Sequence, residues 1–365
     1  MKKVKAAIFM GAKTPFEVRE FEVTATPKGY GRSRLIASGV CGTDLHFHRG
    51  TLAVGTPSII GHEFVGRLED CDPEEAAKFG LKVGDAVIAD IAVPCGECLL
   101  CRTGDDANCV NMGVTNGGSI DEAPYLWGGY TQVNYTPLSN LVKIPEELNP
   151  TAVTAFACPG PTAIHAFRLA KQAGIEPNEN TVAVVQGLGP VACFAIMYLK
   201  ALGVGKLIAV TFDYSPEKEA LAHRLGADEV FFLAKTPEEE VIAQLQKENG
   251  GLGVDLCFEG SGARTAFPFG LNILRNRGVY LVPGQYSSRG PVAINPEVIT
   301  FKALQILGSS QYSMTDVRDY LAFLVAHPEL EEIILSLATC YPVADVNRAF
   351  ADAEAGKNVK TLLVE

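Results

Sequence analysis

The chain contains 365 residues, a length that suggests two or three domains and suffices to bury a large hydrophobic core. With 47% hydrophobic and 20% charged residues, the composition excludes a disordered or collagen-like protein. The formal net charge of -11 gives no attraction to phosphate backbones or anionic lipids, so we expect no nucleic acid partner. The sequence contains no apolar run of about 18 residues and no signal-peptide core, which predicts a cytoplasmic protein without membrane contact.

The first 140 residues consist of short β-type runs separated by Gly, Pro and Asp. The clearest runs are Arg34–Ser38, Phe64–Leu68, Asp85–Ile91 and Tyr130–Tyr135. Short strands at this spacing are typical of a small barrel or sandwich with long functional loops.

Beyond Pro150 the pattern changes to alternating helices and strands. Helical periodicity extends from Thr151 to Ala173. The predicted strands are then Thr181–Val185, Lys206–Phe212, Glu229–Leu233, Val254–Phe258 and Val279–Val282, with helices at Pro216–Leu225, Pro237–Glu248 and Arg264–Leu274. This alternation predicts a doubly wound parallel sheet with helices on both faces. One more helix, Thr315–Ala326, and a helix–strand pair within Val343–Val364 complete the chain.

Four of the ten cysteines lie within fifteen residues, in a C-x2-C-x2-C-x7-C pattern formed by Cys95, Cys98, Cys101 and Cys109. Short turns of this kind can direct four thiolates at one point, as a structural zinc requires. Disulfides, which a reducing compartment disfavours, and an iron–sulfur cluster are the alternatives. We predict a structural zinc, and because four protein ligands fill its coordination shell, it would stabilise a loop and perform no chemistry.

A second set of metal-ligand residues is dispersed along the chain. Cys41 and the adjacent pair His62 and Glu63 each lie beside glycines, and Cys158 opens a Pro-Gly-Pro segment that we interpret as a turn at the domain boundary. Each is a weak signal alone, because a single Cys or His is more often an ordinary core residue. Two Cys and one His with an open fourth position nevertheless form a known catalytic zinc arrangement.

A glycine-rich turn follows the first strand of the predicted parallel sheet. Gly187, Gly189 and Ala192 form G-x-G-x-x-A, with Pro190 at the start of the next helix. This strand–turn–helix context predicts a dinucleotide site with the pyrophosphate at the helix N-terminus. Asp213 ends the next strand, 21 positions after Ala192, where an acid would bind the ribose hydroxyls and repel a 2′-phosphate, which favours NAD. Alternatively, Asp213 caps the helix that begins near Pro216.

The motifs together resemble those of the zinc-dependent medium-chain alcohol dehydrogenase family, and the match extends from Val4 to Val364. Gly39–Asp44, Gly61–Glu63, the four-cysteine segment, the glycine-rich turn and Gly356–Lys360 all occur in the family's order. The resemblance implies an α/β protein with a GroES-like β-barrel catalytic domain and a Rossmann cofactor domain. The expected boundaries are 1–157 for the catalytic domain, which includes a zinc lobe at 93–112, 158–306 for the NAD-binding domain, and 307–365 for a return to the catalytic domain.

The resemblance also implies roles for individual residues. Cys41, His62 and Cys158 would hold the catalytic zinc, and Glu63 would lie beside the metal and serve as an alternative ligand. Thr43 would contact the substrate oxygen, His46 would pass its proton to solvent, and Asp44 would orient the metal-binding imidazole. Among the cofactor residues, Thr162 and Val191 would contact the nicotinamide, Lys218 the ribose and Lys360 the pyrophosphate. Ile91 would face the substrate, and the aromatic residues Phe47, Tyr125 and Trp127 would either line its pocket or belong to the core.

The function implied is reversible oxidation of a secondary, cyclic or polyol alcohol to an aldehyde or ketone, with hydride transfer to NAD and two zinc ions per chain. A dimer or tetramer that pairs through the strand-like segment 303–308 is expected by analogy. One departure is Asp72, where the family has Gly or Ala, followed by an acidic, helix-like segment to Lys78. Three alternatives remain open: an NADP-preferring carbonyl or polyol reductase, a non-catalytic nucleotide-binding regulatory protein, and a zinc lyase or hydrolase.

Overall fold

The computed structural model describes residues 3–286 and 290–365, and the chain divides into two compact units. Unit 1 comprises residues 1–161 and 311–365, and unit 2 comprises residues 162–310. Each junction lies four residues later than the sequence predicts, so Cys158 belongs to unit 1. None of the helices in the described ranges is both long and apolar enough to span a bilayer.

The first part of unit 1 is dominated by short strands. They are β1 (Lys3–Ile8), β2 (Glu17–Glu22), β3 (Tyr30–Val40), β4 (Glu63–Cys71), β5 (Ala86–Ala89), β6 (Ala92–Val93), β7 (Gly113–Val114), β8 (Val133–Pro137) and β9 (Leu141–Lys143). The helices are α1 (Gly42–Arg49), α2 (Pro73–Ala77), α3 (Leu99–Arg102) and α4 (Pro150–Ala155). Helix α2 occupies the acidic, helix-like segment noted in the sequence, and Asp72 caps it by accepting hydrogen bonds from the N–H groups of Glu74 and Glu75.

The helical periodicity predicted from Thr151 to Ala173 is interrupted in the structure. Helix α4 ends at Ala155, and α5 (Pro159–Gln172) begins three residues beyond Phe156. The proline at 159 has no N–H and restricts the residue before it, so Cys158 cannot continue a helix. The predicted Pro-Gly-Pro turn is therefore wrong: these residues form the first turn of α5, where proline is tolerated.

Unit 2 contains a six-stranded parallel sheet. Its elements are β10 (Val182–Gln186), α6 (Pro190–Ala201), β11 (Lys206–Thr211), α7 (Pro216–Leu225), β12 (Glu229–Phe232), α8 (Glu238–Leu245), α9 (Glu248–Gly251), β13 (Val254–Glu259), α10 (Ala266–Ile273), β14 (Leu274–Val282), α11 (Glu297–Lys302) and β15 (Gln305–Gly308). The strand order β12-β11-β10-β13-β14-β15 is the 3-2-1-4-5-6 order of a dinucleotide-binding sheet. This order confirms the predicted doubly wound domain.

The chain returns to unit 1 with α12 (Met314–Ala326), α13 (Glu331–Leu337), β16 (Ala338–Pro342), α14 (Val346–Glu354) and β17 (Lys360–Val364). A seven-stranded sheet has the order β16-β17-β3-β4-β5-β9, and β8 also pairs with β3. In this sheet Gly39 pairs with Glu63 and Val40 pairs with Thr361. The register therefore brings the ends of β3, β4 and β17 together beside Cys41.

Candidate metal centres and cofactor site

Four potential metal ligands converge at the ends of β3, β4 and α5. Cys41 follows β3 and precedes α1, His62 and Glu63 lie at the start of β4, and Cys158 precedes α5. One ligand atom from each residue lies within 4.8 Å of the others. The two Sγ atoms are 3.9 Å apart, which matches the distance of about 3.8 Å between two sulfurs that each lie about 2.3 Å from a tetrahedral zinc. Two thiols and an imidazole in this arrangement fit a zinc ion and leave a fourth position for another ligand.

A buried carboxylate, Asp44, supports two of these ligands. Its Oδ2 accepts hydrogen bonds of 2.8 Å from the N–H of Cys41 and from the hydroxyl of Tyr130. Its Oδ1 lies 3.5 Å from Nδ1 of His62. With Nδ1 directed at Asp44, Nε2 is the nitrogen that remains for a metal, so the carboxylate fixes the orientation of the imidazole.

The charges within the cluster shift the pKa values of its members. Burial lowers the pKa of His62, but the charges of Asp44 and Cys41 outweigh it and raise that pKa well above its ordinary value. The hydrogen bond from Cys158, together with the charge of His62, lowers the pKa of the Cys41 thiol well below its usual range, although burial opposes this. A thiolate is the form of cysteine that binds metals, so this environment prepares Cys41 for coordination.

Glu63 is paired with Lys360, and both side chains are fully buried. Burial raises the pKa of Glu63 to about 7, although the Lys360 ammonium opposes this shift. Gly39 is required here, because a Cβ at this position would lie 1.6 Å from Oε2 of Glu63. The structure therefore shows Lys360 in contact with the carboxylate beside the metal ligands, and its contact with a pyrophosphate stays a prediction.

The two predicted proton-transfer residues lie on α1. The hydroxyl of Thr43 is 3.9 Å from Sγ of Cys41, and Nδ1 of His46 is 2.9 Å from the hydroxyl of Thr51. Helix α1 therefore carries one metal-ligand residue at its N-cap and both hydroxyl- and imidazole-bearing residues within its first turn and a half. Thr51 was not identified from the sequence.

The cysteine lobe holds its four sulfurs around one point. The Sγ–Sγ distances are 4.0 Å for Cys95–Cys101, 3.5 Å for Cys98–Cys101, 4.0 Å for Cys98–Cys109 and 3.5 Å for Cys95–Cys109. They bracket the edge of about 3.8 Å expected for a tetrahedral zinc–thiolate site. Backbone N–H donors lower the pKa of Cys98 to about 6. All ten cysteines are free, so the disulfide alternative is wrong, and the short distances fit a single ion better than a multi-iron cluster.

The glycine-rich turn of unit 2 connects β10 to α6. Gly187 has a φ of +95°, a conformation that favours glycine, and a Cβ there would lie 3.0 Å from Ser261. Gly189 is the N-cap of α6 and Pro190 is its first residue, followed by the half-buried Val191. The free N–H groups at the start of this helix are suited to an anion such as a pyrophosphate.

Asp213 lies two residues beyond the end of β11, and its side chain is 75% exposed. Its Oδ2 is 3.6 Å from Nζ of Lys218. The cap of α7 is Ser215, whose hydroxyl accepts a hydrogen bond from the N–H of Lys218, so the alternative role of Asp213 as that cap is wrong. The carboxylate therefore stays available at the carboxyl end of a strand, where the ribose of a dinucleotide binds in such sheets.

The remaining predicted residues lie outside the two cysteine-containing clusters. Ile91 is half-buried after β5, and Thr162 is half-buried on α5 in unit 2. Phe47 and Tyr125 pack against the core of unit 1, and Trp127 makes an edge contact of 5.6 Å with Tyr30. These aromatic contacts favour the core interpretation over a pocket lining for Tyr125 and Trp127.

Comparison with known proteins finds similarity to alcohol dehydrogenases along most of the chain. The profile of the family described as alcohol dehydrogenase GroES-like domain matches residues 33–146, and that of zinc-binding dehydrogenase matches residues 190–326. The chain is 30% identical to 5-exo-hydroxycamphor dehydrogenase of Pseudomonas putida, over 98% of this chain and 95% of that protein. It is 32% identical to erythritol/L-threitol dehydrogenase of Mycolicibacterium smegmatis, over 84% of this chain and 83% of that protein.

The fold is also similar to that of solved structures. An alcohol dehydrogenase from Thermotoga maritima superposes with a TM-score of 0.90 at 26% identity, and all of both chains is covered. A zinc-binding dehydrogenase from Sinorhizobium meliloti, whose structure contains NADP, has the same fold with a TM-score of 0.86 at 22% identity, over all of both chains.

Proposed function

Because the chain belongs to the family of zinc-binding medium-chain alcohol dehydrogenases and is an oxidoreductase that acts on alcohols, we propose that it is an NAD-dependent enzyme with a catalytic and a structural zinc. The reaction is the reversible oxidation of a secondary, cyclic or polyol alcohol to a carbonyl compound. The observation that carries the proposal is the convergence of Cys41, His62 and Cys158, which leaves one coordination position for the substrate.

The catalytic zinc would be held by Cys41, His62 and Cys158, and it supplies the Lewis acidity that makes an alcohol easier to deprotonate. Asp44 keeps the imidazole of His62 oriented for that role. Thr43 and His46, both on α1, would carry the substrate proton away through a hydroxyl and an imidazole. Glu63, which is paired with Lys360, is the carboxylate that would replace water or substrate as a zinc ligand during turnover.

The proposal of NAD over NADP rests on Asp213. Its exposed carboxylate accepts hydrogen bonds from ribose hydroxyls and repels a 2′-phosphate. Gly187, Gly189 and Pro190 would receive the pyrophosphate at the start of α6, and Val191 would contact the nicotinamide. Lys218, Thr162 and Lys360 would complete the cofactor contacts.

The cellular setting is also part of the proposal. Two zinc sites built from six cysteines need a compartment that keeps thiols reduced, which supports a cytoplasmic location. The relatives named for hydroxycamphor and for erythritol and threitol act on cyclic and polyol alcohols, and both classes are candidates for this chain.

The test combines metal analysis with a screen of alcohols in the presence of NAD or NADP. We expect two zinc ions per chain and reduction of NAD in preference to NADP. Cys41→Ser or His62→Ala should abolish turnover and remove one zinc, while NADH binding stays measurable. Cys71→Ser, which makes the same change outside both clusters, should retain activity. Full activity in a zinc-free preparation would contradict the proposed chemistry.

The same screen addresses the alternatives. Preferential reduction of NADP would favour the carbonyl or polyol reductase. Binding of NADH without oxidation of any primary, secondary, cyclic or polyol substrate would favour the regulatory protein. Turnover of substrates by hydrolysis or elimination without a nucleotide would favour the zinc lyase or hydrolase.

A further inference from the structure

A fully buried carboxylate, Glu259, ends strand β13 and has no part in the chemistry proposed above. In the sheet of unit 2 it pairs with Gln186, the last residue of β10. Strands β10 to β12 form one half of this sheet and β13 to β15 the other, so β10 and β13 adjoin at its centre. In sheets of this order a dinucleotide binds in the crevice outside the carboxyl ends of these two central strands. Glu259 therefore lies beside the proposed cofactor crevice.

The segment that follows β13 is packed against the glycine-rich turn that follows β10. We call residues 260–263 the β13 loop. A Cβ on Gly187 would lie 3.0 Å from Cα of Ser261, and a Cβ on Gly260 would lie 3.0 Å from Cβ of Ala192 on α6. Because these distances leave no gap, a displacement of the β13 loop would also disturb the turn and the start of α6.

Glu259 holds the β13 loop in this position. Its Oε1 accepts hydrogen bonds from the N–H of Ser261 at 2.8 Å, from the hydroxyl of Ser261 at 2.6 Å and from the N–H of Gly262 at 2.9 Å. Its Oε2 accepts a hydrogen bond of 3.1 Å from the side-chain amide of Gln285, which also donates to the carbonyl oxygen of Ala263 at 3.0 Å. These four donors offset the burial of the charge, and hydrogen bonds to a carboxylate are stronger than those between neutral groups.

The β13 loop has little rigidity of its own. Its sequence is Gly-Ser-Gly-Ala, and glycine has the widest range of backbone conformations of any residue. The fixed position of the loop therefore depends on its contacts, of which those to the Glu259 carboxylate involve two of its four residues directly.

We propose that Glu259 is a positioning residue for the nicotinamide cofactor: it fixes the β13 loop against the glycine-rich turn and so keeps the N–H groups at the start of α6 in place for the pyrophosphate. This inference rests on the proposed function. A site that is ordered before its ligand arrives loses less conformational entropy on binding, so release of the loop should weaken cofactor binding. Because Glu259 takes no part in the chemical steps, turnover at saturating cofactor should not suffer.

The experiment uses the zinc-loaded full chain and measures the Kd of NADH or NADPH, whichever the wild type binds more tightly, by fluorescence titration. Glu259→Gln keeps the size of the side chain, but it removes the charge and turns an amide toward that of Gln285. It should raise the Kd of the reduced cofactor and the KM of the oxidised cofactor by at least about 5-fold. The kcat at saturating cofactor should fall by less than about 2-fold.

Asp255→Asn is the matched control, because Asp255 is another carboxylate of β13 at the opposite end of the strand. It accepts hydrogen bonds from the N–H of Val182 and from the side chains of Asn249 and Arg275. Its substitution should lower the thermal unfolding midpoint but change the Kd of the reduced cofactor by less than about 2-fold. A purely structural role of Glu259 would make the two variants behave alike.

A second variant guards against a folding defect in Glu259→Gln. Ser261→Ala removes one hydroxyl, which donates to Glu259 and accepts a hydrogen bond of 3.1 Å from the N–H of Ala263. It should raise the Kd of the reduced cofactor by about 2- to 5-fold.

The outcomes separate this inference from the proposed function. An unchanged Kd in Glu259→Gln, or in Ser261→Ala should the first variant not fold, would overturn the inference and leave the dehydrogenase intact. An equal loss of cofactor affinity in Asp255→Asn would also overturn it, because the effect would then follow from destabilisation of the sheet. A wild type that binds neither NADH nor NADPH would instead refute the proposed function.

Discussion

At the scale of single residues, Asp44 shows how one buried carboxylate organises a candidate metal-binding cluster. It is fully buried, and it contacts the N–H of Cys41, the hydroxyl of Tyr130 and the ring of His62. The first two contacts fix the carboxylate, and the third transmits that rigidity to the imidazole. A conformational change at any of these groups would therefore move one of the proposed metal ligands.

Asp90 predicts a pH dependence of stability that is independent of catalysis. Burial, reinforced by the charges of Asp106 and Asp316, raises its pKa from 3.8 to about 7. Between about pH 4 and pH 7 the unfolded chain loses this proton while the folded chain keeps it, so stability falls as the pH rises through that window. Above pH 7 the full cost applies, at most about 4 kcal/mol.

Asp90→Asn cannot ionise, so it should be no more stable than the wild type at pH 4 and increasingly more stable up to pH 8. Thermal unfolding midpoints of the zinc-loaded proteins across this range measure the difference. Asp121→Asn, which makes the same change at an exposed carboxylate, should show a much smaller change. A constant difference between the wild type and Asp90→Asn across the range would contradict the raised pKa.

Some of the residue contacts could not be predicted because they join distant parts of the sequence. The ion pair of Glu63 and Lys360 connects positions 297 apart, and Tyr130 reaches Asp44 across 86 positions. The sequence identified Glu63, Lys360 and Asp44 by their motifs. Their partners depend on which strands pair, and the order of the strands in a sheet is not encoded locally.

At the scale of elements, two polar residues just before α7 differ in role: Ser215 caps the helix, and Asp213 is proposed to bind the cofactor. The hydroxyl of Ser215 accepts a hydrogen bond from the N–H of Lys218 and so caps the helix, whereas the carboxylate of Asp213 is exposed. Ser215→Ala should therefore cost about 1 kcal/mol in stability and leave the choice between NAD and NADP unchanged. Asp213→Ala should reduce the ratio of kcat/KM for NAD to that for NADP by about 10-fold or more, with little loss of stability.

Chemical denaturation and kcat/KM for both nucleotides distinguish these two variants. If Asp213→Ala lost stability as Ser215→Ala is expected to, the assignment of the cap would be wrong. If Asp213→Ala kept the full nucleotide preference, another residue would determine the specificity.

Helix α1, which has an unusual N-terminal cap, was not predicted from the sequence. Helix α1 spans eight residues, and its box is formed by Cys41 and Asp44, which differ from the usual Ser or Thr and Glu. Its residues Gly42 and His46 are weak helix formers, so local propensity gives little signal. The buried strands β10, β11 and β13 were predicted, because continuous apolar runs between turn residues are a strong signal of a parallel sheet.

At the scale of the whole molecule, the two units explain why the order of motifs along the chain is informative. Cys158 lies near the end of the first segment of unit 1, just before unit 2 begins. Strand β17, at the C-terminal end of the chain, belongs to unit 1 again and pairs with β3. Unit 2 is a continuous insertion between these segments. The sequence clearly shows the change from short β-type runs to alternating helices and strands. That β17 completes the sheet of unit 1 could not be predicted, because it depends on pairing with the distant strand β3.

Self-association provides a last prediction, since unit 2 ends its sheet at β15, an edge strand. The segment before it exposes three large apolar side chains: Val292 at 38%, Ile294 at 36% and Phe301 at 74%. An uncovered edge beside exposed apolar residues is a common site of pairing between copies. We therefore expect the wild type to elute as a dimer or tetramer of the 39.0 kDa chain. Phe301→Glu should shift it toward the monomer, whereas Phe79→Glu, at an exposed phenylalanine of unit 1, should not. A wild type that sediments at monomer mass over micromolar concentrations would refute the pairing, because the charge then has no interface to disrupt.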